Sequence, residues 1–135
     1  MLYQATCVAV AGRALLIEGP PGAGKTTLAL QLLDRGAALV GDDGVALALR
    51  GTQLWASPPA ATAGLVEVRN VGLVRFPACE APVALALRLV RDAPRFVEQA
   101  EDMAIGGTHV PLLWFDPAIP AAGIRAELAL ERHGR

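Results

Sequence analysis

With 53% apolar and 19% charged residues, this 135-residue chain is too apolar to be disordered and long enough to bury one core. Its net charge of −1 leaves no basic surplus to hold a nucleic-acid backbone, and no apolar run approaches the ~20 residues that cross a bilayer. Aromatics are 4%, so the core has to be built from Ala, Leu and Val, in a single domain expected over residues 1–135. No charged segment followed by an apolar stretch opens the chain. Cys7 and Cys79 have no metal-ligand spacing and read as reduced thiols, so the expected compartment is the cytoplasm.

Tyr3 to Val10 reads as a strand, Ala11-Gly12-Arg13 as a turn, and Ala14 to Glu18 as the next strand. A three-residue turn with Gly fits an antiparallel hairpin, whereas the commonest nucleotide-binding folds open on a lone parallel strand. Thr27 to Arg35 reads as a helix with Leu28, Leu32 and Leu33 on one face and Gly36 as its cap. Ala37 to Gly41 is a short strand ending in Asp42-Asp43, and Val45–Leu49 with Gln53–Ala56 forms a second hairpin. Pro58-Pro59-Ala60-Ala61 marks a loop; Leu65–Arg69 and Val71–Val74 are short strand-like pieces interrupted by Asn70 and Gly72. Val83–Val90 is an almost continuous apolar strand, residues 91–108 read as polar and irregular, and Val110–Phe115 is another strand. Pro117 and Pro120 break the chain before a helix over Ile124–Arg132.

The segment joining the second strand to the first helix is the strongest signal. Gly19-Pro20-Pro21-Gly22-Ala23-Gly24-Lys25-Thr26-Thr27 fits the phosphate-binding pattern G-x-x-x-x-G-K-[ST] without mismatch, and strand, loop and helix arrive in the required order. The glycines let the backbone wrap an anion, Lys25 brings a mobile charge to the β- and γ-phosphates, and the Thr26 hydroxyl suits Mg²⁺. Asp42-Asp43 follows at a strand end, where metal and phosphate chemistry needs carboxylates, and two adjacent carboxylates raise each other's proton affinity. In Leu65-Val66-Glu67-Val68-Arg69, strand periodicity puts Glu67 and Arg69 on one face; spacing alone reads this as a surface pair on an edge strand. His109 and His133 read as structural or solvated, and Trp55 and Trp114 as core or rim residues.

The loop Gly19–Thr26, then Leu39-Val40-Gly41-Asp42-Asp43, then Leu65-Val66-Glu67-Val68-Arg69-Asn70-Val71-Gly72-Leu73 together resemble the catalytic domain of HPr kinase/phosphorylase, closely over residues 1–75 and loosely afterwards. The resemblance is to the short alphaproteobacterial form. It implies an α/β fold, a phosphoenolpyruvate-carboxykinase-like P-loop domain with a mixed, partly antiparallel sheet. It also implies ATP and Mg²⁺ as cofactors, an HPr-type phosphocarrier protein as substrate, and a homo-oligomer, a hexamer in the family. Carried over residue by residue, Lys25 would bind phosphate, Thr26 and Glu67 would hold Mg²⁺, Asp43 would be the base toward a serine hydroxyl, and Asp42 would support metal or base. Arg95, in Ala93-Pro94-Arg95-Phe96, matches a catalytic arginine that follows a flexible loop, and equally reads as an exposed loop residue.

This chain departs from the family at two places. Gln4 stands where the family has a histidine, and an amide orients its neighbours without shuttling a proton. Asn70 replaces a glycine of the signature, and Asn tolerates a left-handed backbone. The leading reading is an ATP- and Mg-dependent serine kinase acting on HPr, with phosphorylase activity left open. A small-molecule hydroxyl kinase on the same scaffold and a non-catalytic ATP-sensing module are the alternatives.

Overall fold

Alternating and continuous apolar runs set the element order in the computed structural model, which describes residues 1–135. The strands and helices in chain order are Leu2–Tyr3 (β1), Thr6–Val10 (β2), Arg13–Glu18 (β3), Lys25–Asp34 (α1), Ala38–Gly41 (β4), Val45–Arg50 (β5), Gln53–Ser57 (β6), Leu65–Val68 (β7), Gly72–Arg75 (β8), Ala81–Leu89 (β9), Glu101–Ile105 (β10), Thr108–Phe115 (β11) and Ala122–His133 (α2). Strand β9 is the hub. It runs parallel to β3 and to β11, pairing Ile17 with Leu87 and Leu113 with Leu87, and its first residues pair antiparallel with β6. The path β1-β5-β6-β9-β3-β2-β4, with β10 and β11 branching from β9, makes a mixed sheet of nine strands.

The central strands are buried on both faces, which is why they read as unbroken apolar runs. In β3, Leu15 and Ile17 leave on one side and Ala14 and Leu16 on the other. The first side meets Leu28, Ala29 and Leu32 of α1 and Ala122, Ala126 and Leu130 of α2, so both helices cover the same face. On the second side Leu47, Leu54 and Ile105 come from β5, β6 and β10, so the outer strands curl over the sheet and close its other face. Full burial of a side chain such as Leu15, Leu16 or Leu85 contributes about 1.5–3 kcal/mol.

Two expectations need correction. The strand expected over residues 3–10 is broken at Gln4-Ala5: β1 pairs with β5, while β2 pairs with β3 and β4. Two sets of partners lie in different parts of the sheet, and no uninterrupted strand reaches both. Residues 91–108 are not wholly irregular, because β10 forms an antiparallel hairpin with β11. Its signal is the turn at Gly106-Gly107, with φ of 58° and 86°, which suits a tight hairpin between right-twisted strands. The polar outer face of β10 masked the alternation. The β7–β8 pieces form their own hairpin, and Asn70 takes the left-handed conformation there, φ 68°, as its side chain allows.

Candidate functional site

Close approach dictates Gly19 in the segment between β3 and α1, and backbone conformation dictates Gly24. A Cβ on Gly19 would stand 3.0 Å from Ala23 Cβ and 3.4 Å from Leu89 Cβ. Gly24, at the N-cap of α1, has φ 103°, which a side chain would strain. No side chain caps α1, so its first-turn N–H groups stay available to an anion, on the positive end of the helix dipole. The Lys25 ammonium donates to the carbonyls of Gly19 at 2.6 Å and Pro20 at 3.1 Å, which holds it over the loop.

One carboxylate joins this loop to the strand ends beside it. Asp42 Oδ1 accepts from the Thr26 hydroxyl at 3.0 Å and from the buried Thr6 hydroxyl at 3.2 Å. Burial raises the proton affinity of Asp42, with the neighbouring Asp43 adding to the effect and the two hydroxyls and Lys25 opposing it. The turn that presents this pair is tight: a Cβ on Gly41 would lie 2.1 Å from the Gly44 carbonyl oxygen. Asp43 sits in that turn with φ 57°, exposed. Its side chain is committed to no hydrogen bond or ion pair, unlike that of Asp42.

The remaining sequence candidates are not drawn into this cluster. Glu67 is exposed on the β7–β8 hairpin, and Arg95 is exposed on the segment after β9; neither touches Thr26 or Asp42. No group of three or more His, Cys, Asp or Glu is arranged as metal ligands. The oxygen donor standing at the loop is the Thr26 hydroxyl, a hard donor of the kind Mg²⁺ takes beside water and phosphate oxygens.

Five residues outside the sequence candidates complete the neighbourhood. Thr6 anchors Asp42. Glu18, the last residue of β3 and buried, accepts from Tyr3 Oη at 2.5 Å and from Arg88 at 2.9 and 3.2 Å. Burial and the Glu18 carboxylate hold the Tyr3 phenol protonated well above its ordinary range. Asp116, after β11, accepts the backbone N–H of Asp92 at 3.1 Å and of Ala118 at 2.9 Å, tying together the loops that follow β9 and β11; these bonds lower its pKa. The available signal for Glu18 and Arg88 was a charge inside or ending an otherwise apolar parallel strand, which has to find a partner. A cleft of about 570 Å³ opens among these residues, at the C-terminal ends of β3, β9 and β11.

A family model described as the HPr Serine kinase C-terminal domain matches residues 1–79. The HPr kinase/phosphorylase of Mycoplasmopsis pulmonis (strain UAB CTIP) is 39% identical over 69 residues, which are 51% of this chain and 22% of that protein. That of Clostridium tetani (strain Massachusetts / E88) is 41% identical over 70 residues, 52% of this chain and 23% of that protein. The chain thus spans less than a quarter of the length of these curated relatives. Among solved structures, the Hpr(Ser) kinase/phosphatase from Coxiella burnetii is similar with a TM-score of 0.85 at 24% identity, covering 97% of this chain and 94% of that one, a likeness of fold.

Proposed function

The chain belongs to the family of the HPr serine kinase C-terminal domain, and from that premise we propose that it transfers the terminal phosphoryl group of Mg-ATP to a serine hydroxyl of an HPr-type phosphocarrier protein. The observation that carries this reading is the bond from Thr26 to Asp42, which joins a glycine-rich loop shaped for phosphates to a turn bearing two carboxylates. Gly19, Pro20, Pro21, Gly22, Ala23, Gly24, Lys25, Thr26 and Thr27 form the phosphate cradle, with Lys25 following the charge on the transferred group. Thr26, with Glu67 brought in from its hairpin, would hold Mg²⁺, which when bound offsets the charge of the phosphate oxygens.

Asp43, exposed and uncommitted, takes the serine proton as the hydroxyl oxygen forms its bond to phosphorus and the ADP oxygen leaves with the bonding pair. Asp42 is a positioning residue: it accepts from the Thr26 hydroxyl and so fixes it beside the loop. Arg95, on the segment after β9, is assigned to the transferred phosphoryl group once the phosphocarrier is docked. The fine class of the fold is read as phosphoenolpyruvate-carboxykinase-like, supported by the antiparallel β2–β3 hairpin that precedes the loop. Residues 1–135 are read as one catalytic unit, cytoplasmic and assembled as a homo-oligomer.

Incubation of the purified protein with Mg-ATP and HPr from the same organism, read by intact mass, tests this. Wild type should add one phosphoryl group to a serine of HPr, and Lys25→Ala should add none. Phosphorylation of small hydroxyl compounds with HPr untouched would replace this reading by the small-molecule one.

A further inference from the structure

The cleft beside the loop is not where the acceptor would react. It touches Gly19, Pro20, Gly22 and Ala23, yet none of Lys25, Thr26, Asp42 or Asp43 lines it. The carboxylate turn joins the loop through Thr26 instead. A polyphosphate lying on the loop with its reacting end toward Asp42-Asp43 therefore has its other end toward the cleft. The cleft also lies outside the carboxyl ends of parallel strands β3, β9 and β11, where open α/β sheets hold their ligands. Its volume of about 570 Å³ falls in the ordinary range of small-molecule sites.

One wall of the cleft is aromatic and fixed before anything binds. The Trp114 indole N–H donates to Glu101 at 2.8 Å. The Arg88 guanidinium lies 5.2 Å from the centre of the indole ring. Arg88 is in turn held by the buried Glu18 carboxylate and donates to Met103 Sδ at 3.3 Å. Leu89, Val90 and Pro117 add apolar surface. A flat, preorganised wall of this kind suits a planar heteroaromatic ring, because stacking gains surface contact without ordering new side chains.

Resting on the phosphate-transfer reading above, we propose that this cleft holds the base and sugar of the nucleotide, with Trp114 and its Arg88 partner as the wall that the base meets. Glu18, directly before Gly19, then acts through Arg88 as a positioning residue that couples the end of β3 to the base side of the site.

Calorimetric titration with Mg-ATP and with Mg-tripolyphosphate, which has the phosphates and no nucleoside, separates the two claims. Trp114→Leu should weaken Mg-ATP binding about 10-fold, the order that one stacked base contributes, and leave tripolyphosphate binding unchanged. Equal Mg-ATP affinity in wild type and variant would overturn the cleft assignment and leave the loop assignment standing. Wild type that binds neither probe would overturn the loop assignment, and the cleft with it. A second measurement does not depend on how Trp114→Leu folds. Trp55 is the only other tryptophan, so in Trp55→Phe the emission comes from Trp114 alone. Adenosine and Mg-ATP should quench that emission and tripolyphosphate should not; quenching by all three alike, or by none, would contradict the proposal.

Discussion

Asp42 shows how one residue can serve a site at the expense of the fold. Burial raises its pKa in the native state, so between the ordinary carboxylate value and that raised value the folded chain binds a proton that the unfolded chain has released. Stability from this group therefore falls as pH rises through that window. Asp42→Asn keeps an oxygen acceptor for the Thr6 and Thr26 hydroxyls and removes the charge. Its melting temperature should exceed that of wild type at neutral pH, and the gap should shrink as pH falls through the raised native value of Asp42 and vanish in the ordinary carboxylate range; a gap independent of pH would contradict this. Gln4 carries a different prediction. It is exposed between β1 and β2, where the resembled family has a histidine, and its amide cannot deliver a proton to a leaving serine oxygen. Gln4→His should raise phosphorolysis of phosphoserine-HPr relative to the forward reaction and make the ratio pH-dependent between about 6 and 8. Assays in both directions check it, and an unchanged ratio at every pH would assign the histidine's work to another residue.

At the scale of elements, the turn between β4 and β5 does the most for the site and has the least room. Gly41→Ala places a Cβ 2.1 Å from the Gly44 carbonyl oxygen, so the turn must open and Asp42-Asp43 must move. Overpacking of this kind costs about 1–3 kcal/mol, and kinase activity should fall with it. Gly51→Ala, in the β5–β6 turn at φ 64° with nothing within 4 Å, should lose some stability to backbone strain yet leave activity at the wild-type level, as denaturant melts and transfer assays on both variants would show. Much of this level was legible in the sequence. The loop, α1, the Asp-Asp strand end and the long apolar β9 each declare themselves through spacing or an unbroken apolar run. What the sequence hid were pairings decided by distant partners. The break at Gln4-Ala5 follows from β5 competing for β1, and β10 was obscured by its solvent-facing polar residues despite the Gly106-Gly107 turn. The same limit applies to the site: Lys25, Thr26 and Asp42 were marked by motif, while Glu18 and Arg88 acquire meaning only when β3 and β9 lie side by side.

Across the whole molecule, two apolar layers hold the site from opposite faces of one sheet. The layer under α1 and α2 fixes the loop and the N-terminus of α1; the layer under β5, β6 and β10 fixes β4 and the carboxylate turn that follows it. The loop meets the carboxylate turn through Thr26 and the aromatic cleft through Gly19, Pro20, Gly22 and Ala23. A phosphoryl transferase needs a base beside the loop, whereas a sensor of ATP needs the loop without one. Comparison of wild type with Asp43→Asn separates the two most directly, with nucleotide affinity and phosphoryl transfer to HPr measured on the same preparations. Mg-ATP affinity should be unchanged and transfer reduced about 10²–10⁴-fold. Transfer at the wild-type rate in Asp43→Asn, or no transfer to HPr by the wild-type protein, would contradict this.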